Sequence, residues 1–449
     1  MAVIGSDVSA QAFTAFLKHR MPSACITSFT GGSCQTPGEG VTFSSPWIRN
    51  DKKGRIAVLK LGREILGIGD NEFCVSKVNS SISIVSDNTR RHVQKIPSFG
   101  LIYRNFFPLL FEPFRKSHVG SDISVFDFLR LRFGQSFALK YANILSSPFP
   151  SSEVAVHALF PKMAKHESVL LGPLMGVFGS LDRIANADVK NVDVMDYLWQ
   201  ELMSGGKYVS MRPGLDFSFL FQELARHSAS VSASGGDLSS FSPSQYDLVV
   251  SSKNPSDLLS CYGEKNEEEW THEMSRSKKV FSSRFFIPRK CSVKRDIVYF
   301  SGTDGVFAVI QQSSLYPENE GQCIVDVLSD RPVDGSAVGA ASADRVIVNE
   351  EEIPIPSIGW NDRMRKFNEW RIKQKNLQVV GKWYYCPSGS LTDVISDADR
   401  LAQIVAQRYT TRSDGTARME NERRSDWISR NDRSLDFSYQ DDSWSAHKL

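Results

Sequence analysis

Gly5, Ser6, Asp7 and Ala10 are the first residues whose types and spacing suggest chemistry. They lie in the run Ala2-Val3-Ile4-Gly5-Ser6-Asp7-Val8-Ser9-Ala10. A short apolar stretch passes through a glycine turn into Gln11 to Arg20, where Ala12, Phe13, Phe16 and Leu17 recur at helical spacing. A strand that turns into a helix in this way aims free peptide N–H groups and the positive end of the helix dipole at one point, which suits a phosphate. The dinucleotide-binding form of this turn is G-x-G-x-x-G/A. Gly5 and Ala10 match it. The middle position, where a bare backbone normally lets a pyrophosphate approach, holds Asp7. A carboxylate there is itself a good helix cap and can stand in for the missing anion. The second apolar run, Ala24 to Thr30, leads into Gly31-Gly32 and carries no acid at its end to hold ribose hydroxyls.

Other chemistry is sparse. The seven cysteines are scattered without a C-x-x-C pair and the eight histidines have no ligand spacing, so neither a metal site nor a disulfide framework is expected. No side chain identifies itself as a nucleophile or general base, and the catalytic residues are unknown at this level. A net charge of +2 gives no pull toward nucleic acid. No run approaches the ~18 apolar residues of a membrane span. No basic-then-apolar leader is read at the start.

The elements that must position the turn follow along the chain. The length suggests about two to three domains, and a hydrophobic fraction of 41% is ample for their cores. Ser124 caps a helix over Val125 to Phe133 that stops at Gly134, and a mostly helical block continues to about Met203. Residues 96–117 are dense in Phe, Leu and Pro, as core or as a membrane-facing surface. An amphipathic stretch, Phe217 to His227, precedes a strand expected over 228–232. Tyr246 to Ser252 reads as a buried strand with a helix starting near Pro255. A charged connector follows, then alternating strands to Leu328, a loop over 330–349, and a helix over Trp360 to Lys375. Leu377 to Gly381 is a last buried strand. The helix after it has Val394, Ile395, Ala398, Leu401 and Val405 on its apolar face. Residues 410–449 mix charges with Ser and Asn and read as a flexible tail.

In this order the pieces resemble the flavin amine oxidase superfamily, and within it the protoporphyrinogen oxidase family, over residues 1 to 408. The resemblance is carried by the opening βαβ with Gly31-Gly32, by Leu131-Arg132-Phe133-Gly134 and Phe160-Pro161-Lys162, and by Pro213-Gly214-Leu215. It continues in Tyr246-Asp247-Leu248-Val249-Val250-Ser251, Ser313-Ser314-Leu315-Tyr316-Pro317-Glu318, and Val380-Gly381 through Gly389-Ser390-Leu391-Thr392-Asp393. Three departures stand out: Asp7, the missing ribose-binding acid, and Lys382 after Gly381. A fourth is Ser45-Pro46-Trp47 where the family has an Arg after Gly-Pro, which leaves Arg49 as the nearest cation.

The resemblance implies an α/β fold: a Rossmann-like FAD-binding domain of discontinuous segments, a mixed-sheet substrate domain and a helical, membrane-facing insertion. The FAD-binding segments are 1–80, 205–262 and 351–408, and the substrate strands are 81–95 and 284–350. The helical domain is 96–204, the connector 263–283 and the tail 409–449. The implied cofactor is FAD, held by Gly5, Ser6, Ala10, Gly31, Gly32, Gly214, Gly389 and Asp393, with Arg49 at the substrate. The implied activity is oxidation of a reduced tetrapyrrole in haem biosynthesis, at the mitochondrial inner membrane by peripheral contact. Two alternatives stay open. One is a degenerate relative that keeps the fold as a scaffold or complex subunit. The other is a different flavin enzyme, an amine oxidase or desaturase, for which Trp383, Tyr384 and Tyr385 could form an aromatic cage or simply pack in the core.

Overall fold

The structure is a computed structural model. It describes residues 1–29, 48–49, 58–69, 72–77, 80–86, 90–95, 122–146, 148–159, 207–211, 217–236, 238–264, 269–288, 297–300, 305–311, 322–334, 345–384 and 391–413. In chain order the strands are β1 (Ala2–Ile4), β2 (Thr27–Phe29), β3 (Ile48–Arg49), β4 (Phe73–Lys77), β5 (Ser80–Ser86), β6 (Arg90–Lys95), β7 (Lys207–Met211), β8 (Ala233–Gly236), β9 (Val249–Ser251), β10 (Ser277–Pro288), β11 (Ile297–Phe300), β12 (Val306–Gln311), β13 (Gln322–Ser329), β14 (Arg345–Pro354) and β15 (Leu377–Val379). The principal helices are α1 (Val8–Arg20), α2 (Val125–Phe133), α3 (Gln135–Ser146), α4 (Phe217–Val231), α5 (Pro255–Cys261), α6 (Glu269–Met274), α7 (Trp360–Lys373) and α8 (Leu391–Ser413).

Strands from the beginning, middle and end of the chain share one sheet. Its order is β15-β9-β1-β2-β8, and every pairing in it is parallel. The inner strands β1 and β9 are buried throughout, which is why they read as continuous apolar runs rather than as alternation. Val3 and Val250 face α1, α4 and α8 on one side. Ala2, Ile4, Phe29, Val249, Leu377 and Val379 face α7, with Trp270, Trp360 and Phe367, on the other. Helix α1 is enclosed nearly all round: every residue from Ser9 to Leu17 is buried, as a helix inside a layered core must be. Phe13 and Phe16 are completely buried, each worth about 1.5–3 kcal/mol on area grounds.

A second sheet, of order β14-β10-β13-β12-β11-β5-β6, is antiparallel except where β11 runs parallel to β5. Helices α2 and α3 cover part of it through Val125, Phe128, Leu129 and Phe133 against Val280, Phe307, Leu328 and Ile353. As the sequence suggests, Ser124 caps α2: its Oγ accepts the Asp127 N–H at 2.9 Å. Gly134, with φ +90°, ends the helix. The α/β class, the discontinuous parallel sheet and the separate mixed sheet are as the sequence leads one to expect.

Three local expectations differ. The strand expected at 228–232 is the last turn of α4, which runs to Val231 before β8 begins at Ala233; the Ser/Ala run takes helix because Leu220, Phe221 and Leu224 have already docked it. The connector contains α6 and the start of β10. Trp270 and Met274, four apart on one helical face, are buried against α7 and were hidden in the charged run. The loop at 330–349 gives way to β14 at Arg345, which continues to Pro354 beyond residue 350. Among the described residues no helix is long and apolar enough to cross a membrane. The phenylalanine-rich 96–117 stretch and the tail lie outside the described residues.

Candidate functional site

Three chain crossings meet at the carboxyl ends of the parallel strands. β1 runs into Gly5-Ser6-Asp7, β9 into Ser252-Lys253 and β15 into Val380-Gly381-Lys382. In an open parallel sheet this crevice is where ligands bind. The crossings touch through glycines. Gly5 has φ +126°, and a Cβ there would lie 2.1 Å from Ser252 Oγ. Gly381 has φ +95°, and a Cβ there would lie 2.3 Å from Ser9 Oγ. Both residues need the left-handed backbone region and the room that only glycine supplies.

Asp7 is the N-cap of α1: its Oδ1 accepts the Ala10 N–H at 3.0 Å. The carboxyl is partly buried, and desolvation pushes its pKa up from the ordinary 3.8. The Ala10 N–H, the positive charge of Lys382 and the hydroxyl of Ser252 act the other way without cancelling it, while Glu351 adds to the rise. Lys382 Nζ pairs with Glu351 of β14 at 2.9 Å and also donates to the Glu352 carbonyl. One ion pair thus ties the end of the parallel sheet to the second sheet. Beneath them Asp397 of α8, only 7% exposed, accepts the Gly381 N–H at 3.2 Å and pairs with Arg400 at 2.9 Å.

Gln11, 8% exposed, lies against the same loop. Its Nε2 donates to the Ser6 carbonyl at 2.8 Å, while its Oε1 is buried without a hydrogen-bond partner. At the end of β2, Phe29 is 3% exposed. Its ring lies edge-on to Phe241 and Tyr246, with centroids 5.1 and 5.8 Å away. An apolar ring therefore occupies the strand end where the resemblance expects a ribose-binding acid.

Of the residues singled out in the sequence, Gly5, Ser6 and Ala10 come together at the start of α1. Gly31, Gly32, Gly214 and Gly389 lie outside the described residues. Asp393 falls in the first turn of α8. Arg49 is on β3, paired with Tyr208 of β7 in a small sheet of order β3-β7-β4. Tyr384 is completely buried, stacks on Phe367 at 4.9 Å and donates its hydroxyl to the Lys253 carbonyl at 2.7 Å. Trp383 is 6% exposed. Both belong to the core rather than to an open cage. Ser9, Gln11, Ser252 and Asp397 were missed. Asp397 alone left a signal, a carboxylate inside the apolar stripe of its helix.

Several solved structures share this fold at very low identity. A provisionally assigned protoporphyrinogen oxidase from Exiguobacterium sp. superposes with a TM-score of 0.61 at 12% identity, over 91% of this chain and 98% of its own. Cyclohexylamine oxidase from Brevibacterium oxydans gives 0.58 at 11%, over 91% and 99%. Reduced UDP-galactopyranose mutase gives 0.57 at 11%, over 90% and 93%. This chain shares its fold with these enzymes. No protein-family model matches the chain, and no curated protein matches it in sequence.

The tight crossing at Gly5 suits the phosphate-facing turn of a dinucleotide site. Gly5 allows the tight crossing, with Ala10 of α1 close beside it. The feature at odds with a pyrophosphate is the charge of Asp7, together with the apolar ring of Phe29 where ribose hydroxyls would seek a carboxylate.

Proposed function

We propose that this chain is an FAD-dependent oxidoreductase of the flavin amine oxidase type. The observation that carries the reading is the meeting of Gly5, Ser252 and Gly381, drawn from three distant parts of the chain, at the carboxyl ends of one parallel sheet. Bound FAD would supply the redox chemistry by taking up the hydride that the substrate loses. The chain's own contribution is to hold the dinucleotide on Gly5, Ser6 and the N-terminus of α1 and to fix the end of β15 through Asp397 and Lys382. Protein purified from cells, or mixed with FAD and freed of excess, is expected to show flavin absorption bands.

The finer reading follows the protoporphyrinogen oxidase likeness: a reduced tetrapyrrole as substrate, Arg49 as a contact for its carboxylates, and peripheral attachment at the mitochondrial inner membrane. Turnover of protoporphyrinogen set against simple amines separates this from an amine oxidase, and cell fractionation tests the location. Asp7 and Phe29 favour a second reading, a flavin-free relative that serves as a subunit of a protein complex. A colourless chain that takes up no FAD in any form would support it.

A further inference from the structure

We propose that the Asp7 carboxylate is a built-in anion that holds the dinucleotide cradle closed, so that a dinucleotide phosphate and Asp7 compete for the same helix N-terminus. The inference rests on the flavin reading above and concerns how that site is filled.

Three observations carry it. First, Asp7 already takes the Ala10 N–H at 3.0 Å, one of the few donors that a helix start can offer a phosphate. A phosphate arriving beside an ionised carboxylate would bring two like charges into a partly desolvated corner. Second, the corner is otherwise complete. Ser252 Oγ stands against Gly5 and Ser9 Oγ against Gly381, and Lys382 is committed to Glu351 at 2.9 Å. Among the groups facing Asp7, the cation is therefore already paired. Third, Gln11 shows that the cradle still expects something. Its Oε1 is buried and unpartnered while its Nε2 is fixed to the Ser6 carbonyl. An orphan acceptor seeks a donor. A phosphate has none, but the sugar and ribityl hydroxyls on either side of a dinucleotide's pyrophosphate do. The arrangement is that of a cradle kept for a dinucleotide and shut by one side chain, which serves there as a helix cap.

The test measures FAD binding by quenching of flavin fluorescence, with melting of the FAD-free chain alongside, for the parent, Asp7→Asn and Asp7→Gly. Asp7→Asn keeps the cap and removes the charge, so it separates competition from damage to the fold. Asp7→Asn is expected to bind FAD about tenfold or more tightly than the parent at pH 8, the scale of one unit charge beside another at a partly exposed site, with melting no lower than the parent's. Asp7→Gly is expected to bind at least as well as Asp7→Asn but to melt lower without FAD. Equal binding by the parent and Asp7→Asn overturns the proposal and leaves the flavin reading intact. Failure of all three well-folded proteins to bind FAD overturns both.

Discussion

At the scale of single residues, Asp7 and the glycines of the crevice make distinct expectations. Burial raises the Asp7 carboxyl above its ordinary 3.8 in the folded chain. Any stability tied to its neutral form is thus complete below 3.8 and is lost as pH rises through the higher folded value. Asp7→Asn cannot ionise. Its stability relative to the parent should therefore improve as pH rises from about 4 toward neutrality, in urea unfolding of the FAD-free proteins; a flat difference would show that the carboxyl is not desolvated as described. Gly5→Ala must place a methyl group 2.1 Å from Ser252 Oγ while holding φ at +126°. A loss of about 2 kcal/mol or more is expected, with part of it restored by Ser252→Gly. If Gly5→Ala unfolds at the parent's urea midpoint, the crossing is looser than described. The damaged fingerprint was legible at this scale, because Gly5, Asp7 and Ala10 can be compared with a spacing rule. Ser252 and Gln11 were not, because their roles come from a strand and a helix face that meet only in three dimensions.

At the scale of elements, the two sheets hold their registers by different means. The inner parallel strands β1 and β9 are buried between helices on both faces. In the second sheet, Asp326 of β13 is completely buried and receives Arg284 of β10 through Nε at 2.8 Å and Nη2 at 3.0 Å. Asp326→Ala should cost about 3–5 kcal/mol, since it strands a largely buried guanidinium. The double variant with Arg284→Met should cost clearly less. Equal losses in the single and double variants, read from denaturant midpoints, would contradict this pairing. At the end of α1, Arg20 and Lys60 converge on Asp399 of α8 at 2.5 and 3.0 Å and flank the Phe16 ring. This link between the first and last helices was invisible in the sequence, where 379 residues separate Arg20 from Asp399. Elements with strong caps and periodicity, such as α1 and α2, were legible. Those whose apolar residues are few and embedded in charge, such as α6 with Trp270 and Met274, were not.

At the scale of the whole molecule, collinear order made the fold legible where no single motif could. The five parallel strands come from three separated stretches of chain, and only a right assignment of each stretch puts β15 beside β9 and β9 beside β1. Identities of 11 to 12% to the similar structures show why motif strength was low while the architecture persists: layers need apolar pattern and volume, whereas a cofactor cradle needs particular residues. This chain shares the layers of those structures, and its own crevice carries Asp7 and Phe29. The most direct test is the melting temperature of the Asp7→Asn chain with saturating FAD, set beside the same measurement with FMN. A ligand bound only by the folded state raises melting in proportion to its affinity. A clear rise with FAD and a much smaller one with FMN is the expected result if the crevice takes a dinucleotide, as proposed. No rise with either, in a chain that melts cooperatively, would contradict the account.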